Sequence, residues 1–213
     1  MIKFIHLKRY KLLSELRKSF SNPKKEVVNS HIFLKIDNKE YNRVMDDNYI
    51  DYIDMLKKVY KVLNKDFYFQ KYPNFRYNTK EDNYPVWHSD THFNHNKSQI
   101  NVMVPITKKD FGFEIITFGS FILNKLPFNF LNNKIVKKFL SLISKKINYL
   151  DKMLLFNGAY LHTASCRKDF KNPRLSIDFR LLPINYKGKV KLSKRNIPLK
   201  PGYYFSEKPI SEY

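Results

Sequence analysis

Arg174-Leu175-Ser176-Ile177-Asp178-Phe179-Arg180-Leu181 alternates polar and apolar side chains without a break. Period-2 alternation marks a strand with one polar and one apolar face. An ordinary amphipathic strand turns its polar face to water. Here that face is read as the interior of a barrel. A guanidinium offers a planar fork that matches a carboxylate, and a serine hydroxyl two residues on adds a third bond. Arg174 with Ser176 is therefore a candidate carboxylate clamp, with a structural ion pair as the competing reading of Arg174. Arg180 has three readings: a second anchor, a substrate contact, or a partner of Asp178.

A second constellation lies upstream. Trp87-His88-Ser89-Asp90 is followed, 72 residues after the aspartate, by Leu161-His162, and Arg174 comes twelve residues later. Residues two apart in a strand point to one side. His88 and Asp90 are expected to face the interior together, with Trp87 and Ser89 turned away. His162 is expected from a distant strand that the fold brings opposite. Two imidazoles and one carboxylate suit Fe(II) held on one triangular face, with the opposite face free for a co-substrate and O2. The lack of a thiolate disfavours a structural zinc site. His92 and His95 are rival ligands, because Asp90-Thr91-His92 keeps the two-residue spacing. Their closeness to His88 places them at the mouth of the site instead. Cys166 reads as a buried or loop thiol.

Composition sets the frame. The 213 residues are long enough for one filled domain, and 18 Phe plus 15 Tyr argue for an aromatic core, not disorder. No apolar run approaches the ~20 residues of a membrane span, and the charged N-terminus lacks the pattern of a signal peptide. The single cysteine excludes an internal disulfide framework and a cysteine-based zinc site, so a reducing cytoplasm is the expected location. A net charge of +21 would attract nucleic acid, anionic lipid or a phosphorylated substrate. The lysines are spread along the chain, however, and read first as compositional drift on a solvated surface.

Residues 4–20 read as a basic helix, residues 47–65 as an amphipathic helix with apolar positions Ile50, Ile53, Leu56, Val59, Tyr60 and Leu63, and residues 134–147 as a further helix. Strands are expected at Phe67–Tyr72, Asn74–Tyr77, Val86–Asp90, Gln99–Pro105, Phe113–Thr117, Lys152–Phe156 and Arg174–Leu182. Many short strands behind N-terminal helices indicate a mainly β jelly roll. The expected organisation is one domain over 1–213: a helical buttress at 1–66, a jelly-roll core at 67–183, and an extended strap from 184 to 213.

Three blocks carry a family resemblance. HNKSQINVMVPIT (His95–Thr107) resembles an Asn-centred strand, ending in Leu-Pro-Leu-Thr, that follows a His-x-Asp motif in the Fe(II)/2-oxoglutarate oxygenases related to the streptomycin-biosynthesis StrG proteins. FNGAYLH (Phe156–His162) resembles their Phe-Asp-Gly-x-x-Leu-His. PRLSIDFRLLP (Pro173–Pro183) resembles their Thr-Arg-Val-Ser-Phe-Asp-Phe-Arg-Val-x-Pro. The blocks come in the right order and cover roughly half the chain, from about Phe75 to Pro183. The resemblance implies a cupin-like double-stranded β-helix, with His88, Asp90 and His162 on Fe(II) and Arg174 on 2-oxoglutarate. It also implies Asn101 beside the co-substrate and Arg76 in the pocket. The stretch from Phe111 to Ser120 departs from the family, so substrate identity does not carry over. Asn157-Gly158 replaces the family's Asp-Gly, a change compatible with a turn.

The expected activity is hydroxylation of a small molecule with Fe(II), 2-oxoglutarate and O2. A sugar or nucleotide-activated sugar in polysaccharide or natural-product assembly is the leading substrate class, and an anionic or phosphorylated one suits the charge. An intact Asp90 favours hydroxylation or desaturation over halogenation. The rival readings are an oxygenase acting on nucleic acid or protein, a basic polyanion-binding module without catalysis, and a zinc hydrolase with Glu114 as general base.

Overall fold

The predicted alternating strand runs from Arg174 to Pro183 in the computed structural model and is buried on both faces. The structure describes residues 1–20, 24–28, 31–35, 38–78, 86–107, 112–165, 174–187, 191–192 and 196–213. Cys166, Phe111 and Pro173 lie outside the described residues. The first half of the chain contains β1 (Ile2–His6), α1 (Lys11–Phe20), β2 (Lys24–Val28), β3 (His31–Lys35), α2 (Asn38–Asp47), α3 (Tyr49–Leu63), β4 (Phe67–Phe69), β5 (Asn74–Asn78) and a 3-10 turn at Asp90–Phe93. The second half contains β6 (Ile100–Pro105), β7 (Gly112–Ile116), α4 (Ser120–Leu123), α5 (Phe128–Leu131), α6 (Lys134–Ile143), β8 (Lys145–Ile147), β9 (Lys152–Asn157), β10 (Leu161–Ser165), β11 (Arg174–Pro183) and a 3-10 turn at Ile210–Glu212.

The strands form two facing antiparallel layers, a double-stranded β-helix. The major sheet has the order β1-β9-β6-β11-β4, with β5 also paired to β11, and the minor sheet has the order β10-β7-β8. A separate hairpin joins β2 and β3. Strand β11 lies inside the major sheet, between β6 on one side and β4 and β5 on the other. Its register sets Arg180 opposite Asn101, Asp178 opposite Met103 and Asn74, and Ser176 opposite Arg76. Residues paired in this way share a face, so the polar side chains of three strands converge on the space between the sheets.

The apolar face of β11 explains the burial of its other side. Leu175, Ile177, Phe179 and Leu181 pack into one large cluster with Leu12, Leu16, Met45, Leu56 and Val59 of the N-terminal helices. Phe179 meets Tyr52 edge to face at 5.2 Å between centroids. Each fully buried side chain of this size stabilises by about 1.5–3 kcal/mol. The helices thus cover the outer face of the major sheet and leave its polar face for the interior.

Several local expectations are corrected. Residues 4–20 are not one helix: Ile2–His6 is a strand paired with β9, and the helix begins at Lys11. Hydrogen bonds from a sheet edge override the apparent helical run. The amphipathic helix is Tyr49–Leu63, but Ile50 and Tyr60 are exposed while Tyr52 and Met55 are buried. It ends at Asn64 in the left-handed region, where the amide donates to the Tyr60 carbonyl. The helix expected over 134–147 stops at Ile143, and Lys145–Ile147 pairs with β7. Val86–Asp90 is not a strand either, because His88 forms an isolated bridge and Asp90 opens a 3-10 turn. In the C-terminal segment Phe205, Ser206 and Ile210 are buried, and the Ser206 amide donates to the Phe69 carbonyl at 2.7 Å.

Candidate metal centre

His88 and His162 are held by backbone, not by side-chain packing alone. The two residues exchange both amide-to-carbonyl hydrogen bonds, at 3.1 and 2.8 Å, and their rings lie 4.4 Å apart. The Asp90 amide donates to the Gly158 carbonyl at 2.9 Å, which anchors the start of the 3-10 turn. His88, Asp90 and His162 bring one candidate ligand atom each to within 4.8 Å of one another, the one such cluster among the described residues. The sequence reading brought these three residues together correctly. The turn at Asp90 replaces the expected strand alternation as the means.

The surroundings prepare each residue to bind a cation. His88 Nδ1 lies 2.9 Å from the Val86 carbonyl and His162 Nδ1 lies 2.8 Å from the Tyr160 carbonyl. A ring nitrogen facing a carbonyl must carry the proton, so Nε2 of each imidazole keeps its lone pair. Asp90 Oδ2 accepts from Arg180 Nε and from Gln99 Nε2, both at 2.8 Å. Among the described residues no donor reaches Oδ1, which is available to a metal.

Electrostatics act in the same direction. Burial, followed by the neighbouring His162, pulls His88 down to about 3. Burial likewise lowers His162. Burial alone would raise Asp90, but the Arg180 guanidinium and then His162 outweigh it and hold the carboxyl well below the usual range. At neutral pH the site is two neutral imidazoles and a carboxylate, the protonation state that metal binding requires. Nitrogen and oxygen donors without sulfur fit Fe(II) among the divalent metals.

The same cavity extends to Arg174 and Ser176, with Asn101, Met103, Phe113 and Phe156 along its walls. Arg174 is 3% exposed and its Nη2 donates to the Tyr149 hydroxyl at 3.0 Å. Ser176 Oγ is fully buried and has no hydrogen-bond partner among the described residues. An unsatisfied buried hydroxyl costs roughly 1–3 kcal/mol, and a ligand oxygen at this spot would remove that cost. The Phe113 and Phe156 rings flank His162 at 5.7 and 4.9 Å.

The remaining predicted residues take definite places. Arg76 lines the cavity and forms a bidentate pair with Asp178 at 2.6 and 3.4 Å. Asn101 lines the cavity and accepts from Gln99 Nε2 at 2.9 Å. Arg180 is not chiefly the partner of Asp178, which lies 3.8 Å away; it binds Asp90 and donates to the Tyr204 hydroxyl at 2.9 Å. His92 and His95 do not line the cavity. His92 Nδ1 accepts from the Ser89 amide at 3.0 Å, and His95 sits behind Asp90, with its Nδ1 2.8 Å from Gln99 Oε1. Glu114 also lies off the cavity, because its neighbour Phe113 takes the inward position on β7. Its carboxylate accepts from Ser144 Oγ at 2.9 Å, which removes the general base of the hydrolase reading.

Sequence reasoning missed Gln99, Tyr149 and Tyr204. Gln99 was within reach of it: two residues before Asn101, it shares that residue's side of the strand entry. Tyr149 and Tyr204 carry no local signal, since their partners lie 25 and 24 residues away.

The fold and the site define a double-stranded β-helix carrying a two-histidine, one-carboxylate ligand set between its sheets. No protein-family model matches the chain, and no curated protein matches its sequence. Solved structures share its fold, among them two that cover most of this chain. One is SnoN, described as a non-heme α-ketoglutarate-dependent epimerase from nogalamycin biosynthesis. It is 9% identical, with a TM-score of 0.53 over 87% of this chain and 80% of SnoN. The other is HygX from Streptomyces hygroscopicus, whose structure holds nickel, 2-oxoglutarate and hygromycin B. It is 13% identical, with a TM-score of 0.54 over 100% of this chain and 94% of HygX.

Proposed function

We propose that this chain is an Fe(II)- and 2-oxoglutarate-dependent oxygenase that hydroxylates a small molecule. One observation carries the reading. Two imidazoles with free Nε2 lone pairs and a carboxylate with a free Oδ1 share a cavity with a buried arginine and an unsatisfied serine hydroxyl. When bound, iron, 2-oxoglutarate and O2 supply a two-electron oxidation of a substrate C–H bond, with release of succinate and CO2.

The chain's own residues bind and orient. His88, Asp90 and His162 would hold the metal, and the Arg180 and Gln99 contacts on Oδ2 fix the Asp90 carboxylate in place. Arg174 and Ser176 hold the far carboxylate of 2-oxoglutarate, with Tyr149 fixing the guanidinium. Asn101 faces the co-substrate, while Phe113 and Phe156 keep water from the His162 side. Arg76, fixed by Asp178, lies half exposed at the cavity with a cation turned to an incoming substrate.

Arg76, half exposed at the cavity even while paired with Asp178, suits a substrate with an anionic group. A sugar or nucleotide-activated sugar is the class we favour, in the StrG-related branch that the three sequence blocks resemble. The small molecules named with SnoN and HygX support a small-molecule substrate. We assign all 213 residues to one oxygenase domain. A cytoplasmic location agrees with the single cysteine, and no described helix is long and apolar enough to cross a membrane.

The test is an anaerobic titration of the protein with Fe(II) and 2-oxoglutarate. A metal-to-ligand charge-transfer band is expected, and folded protein without one would overturn the reading. A panel of sugar nucleotides then identifies substrate by coupled succinate release, which Asp90→Ala abolishes.

A further inference from the structure

Eight of the twenty exposed large apolar side chains among the described residues fall within residues 118–143. Elsewhere such residues are scattered, as on any soluble surface. Here they occupy a single layer. Leu123 of α4, Leu131 of α5, and Val136 and Leu140 of α6 all pack on one cluster with Trp87, Ile116 and Leu161 outside the minor sheet. The opposite sides of these helices therefore face away from the molecule.

Helix α6 shows the arrangement most clearly. Ile135, Phe139, Leu142 and Ile143 recur at i, i+4, i+7 and i+8, which places them on one face. All four are exposed, Leu142 by 83%. Lys134 and Lys138, four apart, run along one edge of this stripe, and Val136 and Leu140 on its other edge reach inward. Phe118, 95% exposed, precedes α4 and extends the apolar surface. Between Phe118 and Leu150 the sequence contains six lysines and no acidic residue.

We propose that the α4–α6 face docks on an anionic lipid surface. A contiguous exposed apolar stripe marks a contact site, and lysines bordering it select the charge of the partner. A helix lying in the interface buries its apolar face while its lysines meet lipid phosphates. A second copy of the chain is the wrong complement, because two molecules of net charge +21 would meet across matching lysines. The layer also adjoins the candidate metal site: Phe128 of α5 meets Phe93 edge to face at 6.0 Å, and Phe93 meets His88 edge to face at 5.5 Å.

The experiment is vesicle co-sedimentation of the full chain, with phosphatidylcholine vesicles compared to vesicles containing a minority of phosphatidylglycerol. Binding is expected only to the anionic vesicles and should weaken at least about tenfold on going from about 0.1 to 1 M salt. The triple variant Ile135→Asp, Phe139→Asp, Leu142→Asp should lose about tenfold or more. Lys134→Glu with Lys138→Glu, a separate variant, should lose the preference for anionic vesicles. Circular dichroism and Fe(II) affinity unchanged from wild type would show that both variants fold. Wild-type protein left in the supernatant, equal binding to neutral vesicles, or full binding by both variants would overturn the proposal. So would light scattering in which the triple variant turns a dimer into a monomer, which would assign the face to a second copy.

Discussion

Arg180 and Asp90, 90 residues apart in sequence, meet through Nε and Oδ2 at 2.8 Å, with side chains 12% and 2% exposed. The pair neutralises a buried carboxylate and orients it at once. A carboxylate without such a partner at this depth would take up a proton and cease to be a ligand. Arg180→Ala should therefore weaken Fe(II) or Ni(II) binding by about 10–100-fold, the usual effect of losing a contact that orients a ligand. It should also destabilise the fold by about 3–5 kcal/mol, the usual effect of removing one partner of a buried ion pair. Metal titration and urea denaturation check the two effects separately, and wild-type metal affinity in the variant would show that the pair is only structural.

Arg174 and Ser176 should separate from His88, Asp90 and His162 in kinetics. Loss of a charge-assisted contact costs about 1.5–3 kcal/mol, so Arg174→Ala should raise the KM for 2-oxoglutarate by roughly 10–150-fold. Fe(II) affinity should hold. Ser176→Ala should raise that KM only a few-fold and leave the melting temperature unchanged or higher, because Oγ loses no partner among the described residues. Succinate release against 2-oxoglutarate concentration gives the first result, and thermal melts give the second.

Gly158 is fixed by close approach and not by backbone angle. A Cβ there would sit 3.2 Å from Asn101 Oδ1 and 3.3 Å from Gln99 Nε2. Gln99 in turn holds Asp90. Gly158→Ala should destabilise by about 1–3 kcal/mol, the range for overpacking, and should weaken metal binding through Gln99. Parallel melting curves with and without Ni(II) measure both, and a variant identical to wild type in both would refute the link.

Acid should unfold the metal-free protein through its histidines. Burial lowers His88 to about 3 and His95 to about 4, against an unfolded value near 6.5. Between these limits the unfolded chain binds more protons than the native one, so stability rises with pH. It is full above about pH 6.5 and falls by about 1.4 kcal/mol per pH unit per histidine as pH drops toward 4. Asp90 and Asp178, both held low by the arginines beside them after burial has pushed the other way, add further loss below about pH 4. Urea midpoints in EDTA at pH 7.5, 6.5, 5.5 and 4.5 test this, and a flat series would contradict the buried neutral imidazoles.

The sequence by itself determined the elements whose signal is local. Strand β11 was legible because its alternation is unbroken over eight residues, and α3 because its apolar period spans four turns. His88, Asp90 and His162 were legible as residue types whose chemistry is intrinsic. Tertiary structure decided what depends on distant partners. Residues Ile2–His6 became a strand only because β9 supplies an edge, and Asp90 entered the cluster through a 3-10 turn anchored on Gly158. Arg180 pairs with Asp90 and not closely with its near neighbour Asp178, whose carboxylate is taken up by Arg76 and Asn74. Tyr204 and Tyr149 likewise meet their arginines only through the fold. Local periodicity reports which face a side chain occupies, whereas hydrogen-bond partners across a cavity are set by the closure of two sheets, and no short stretch of sequence encodes that distance.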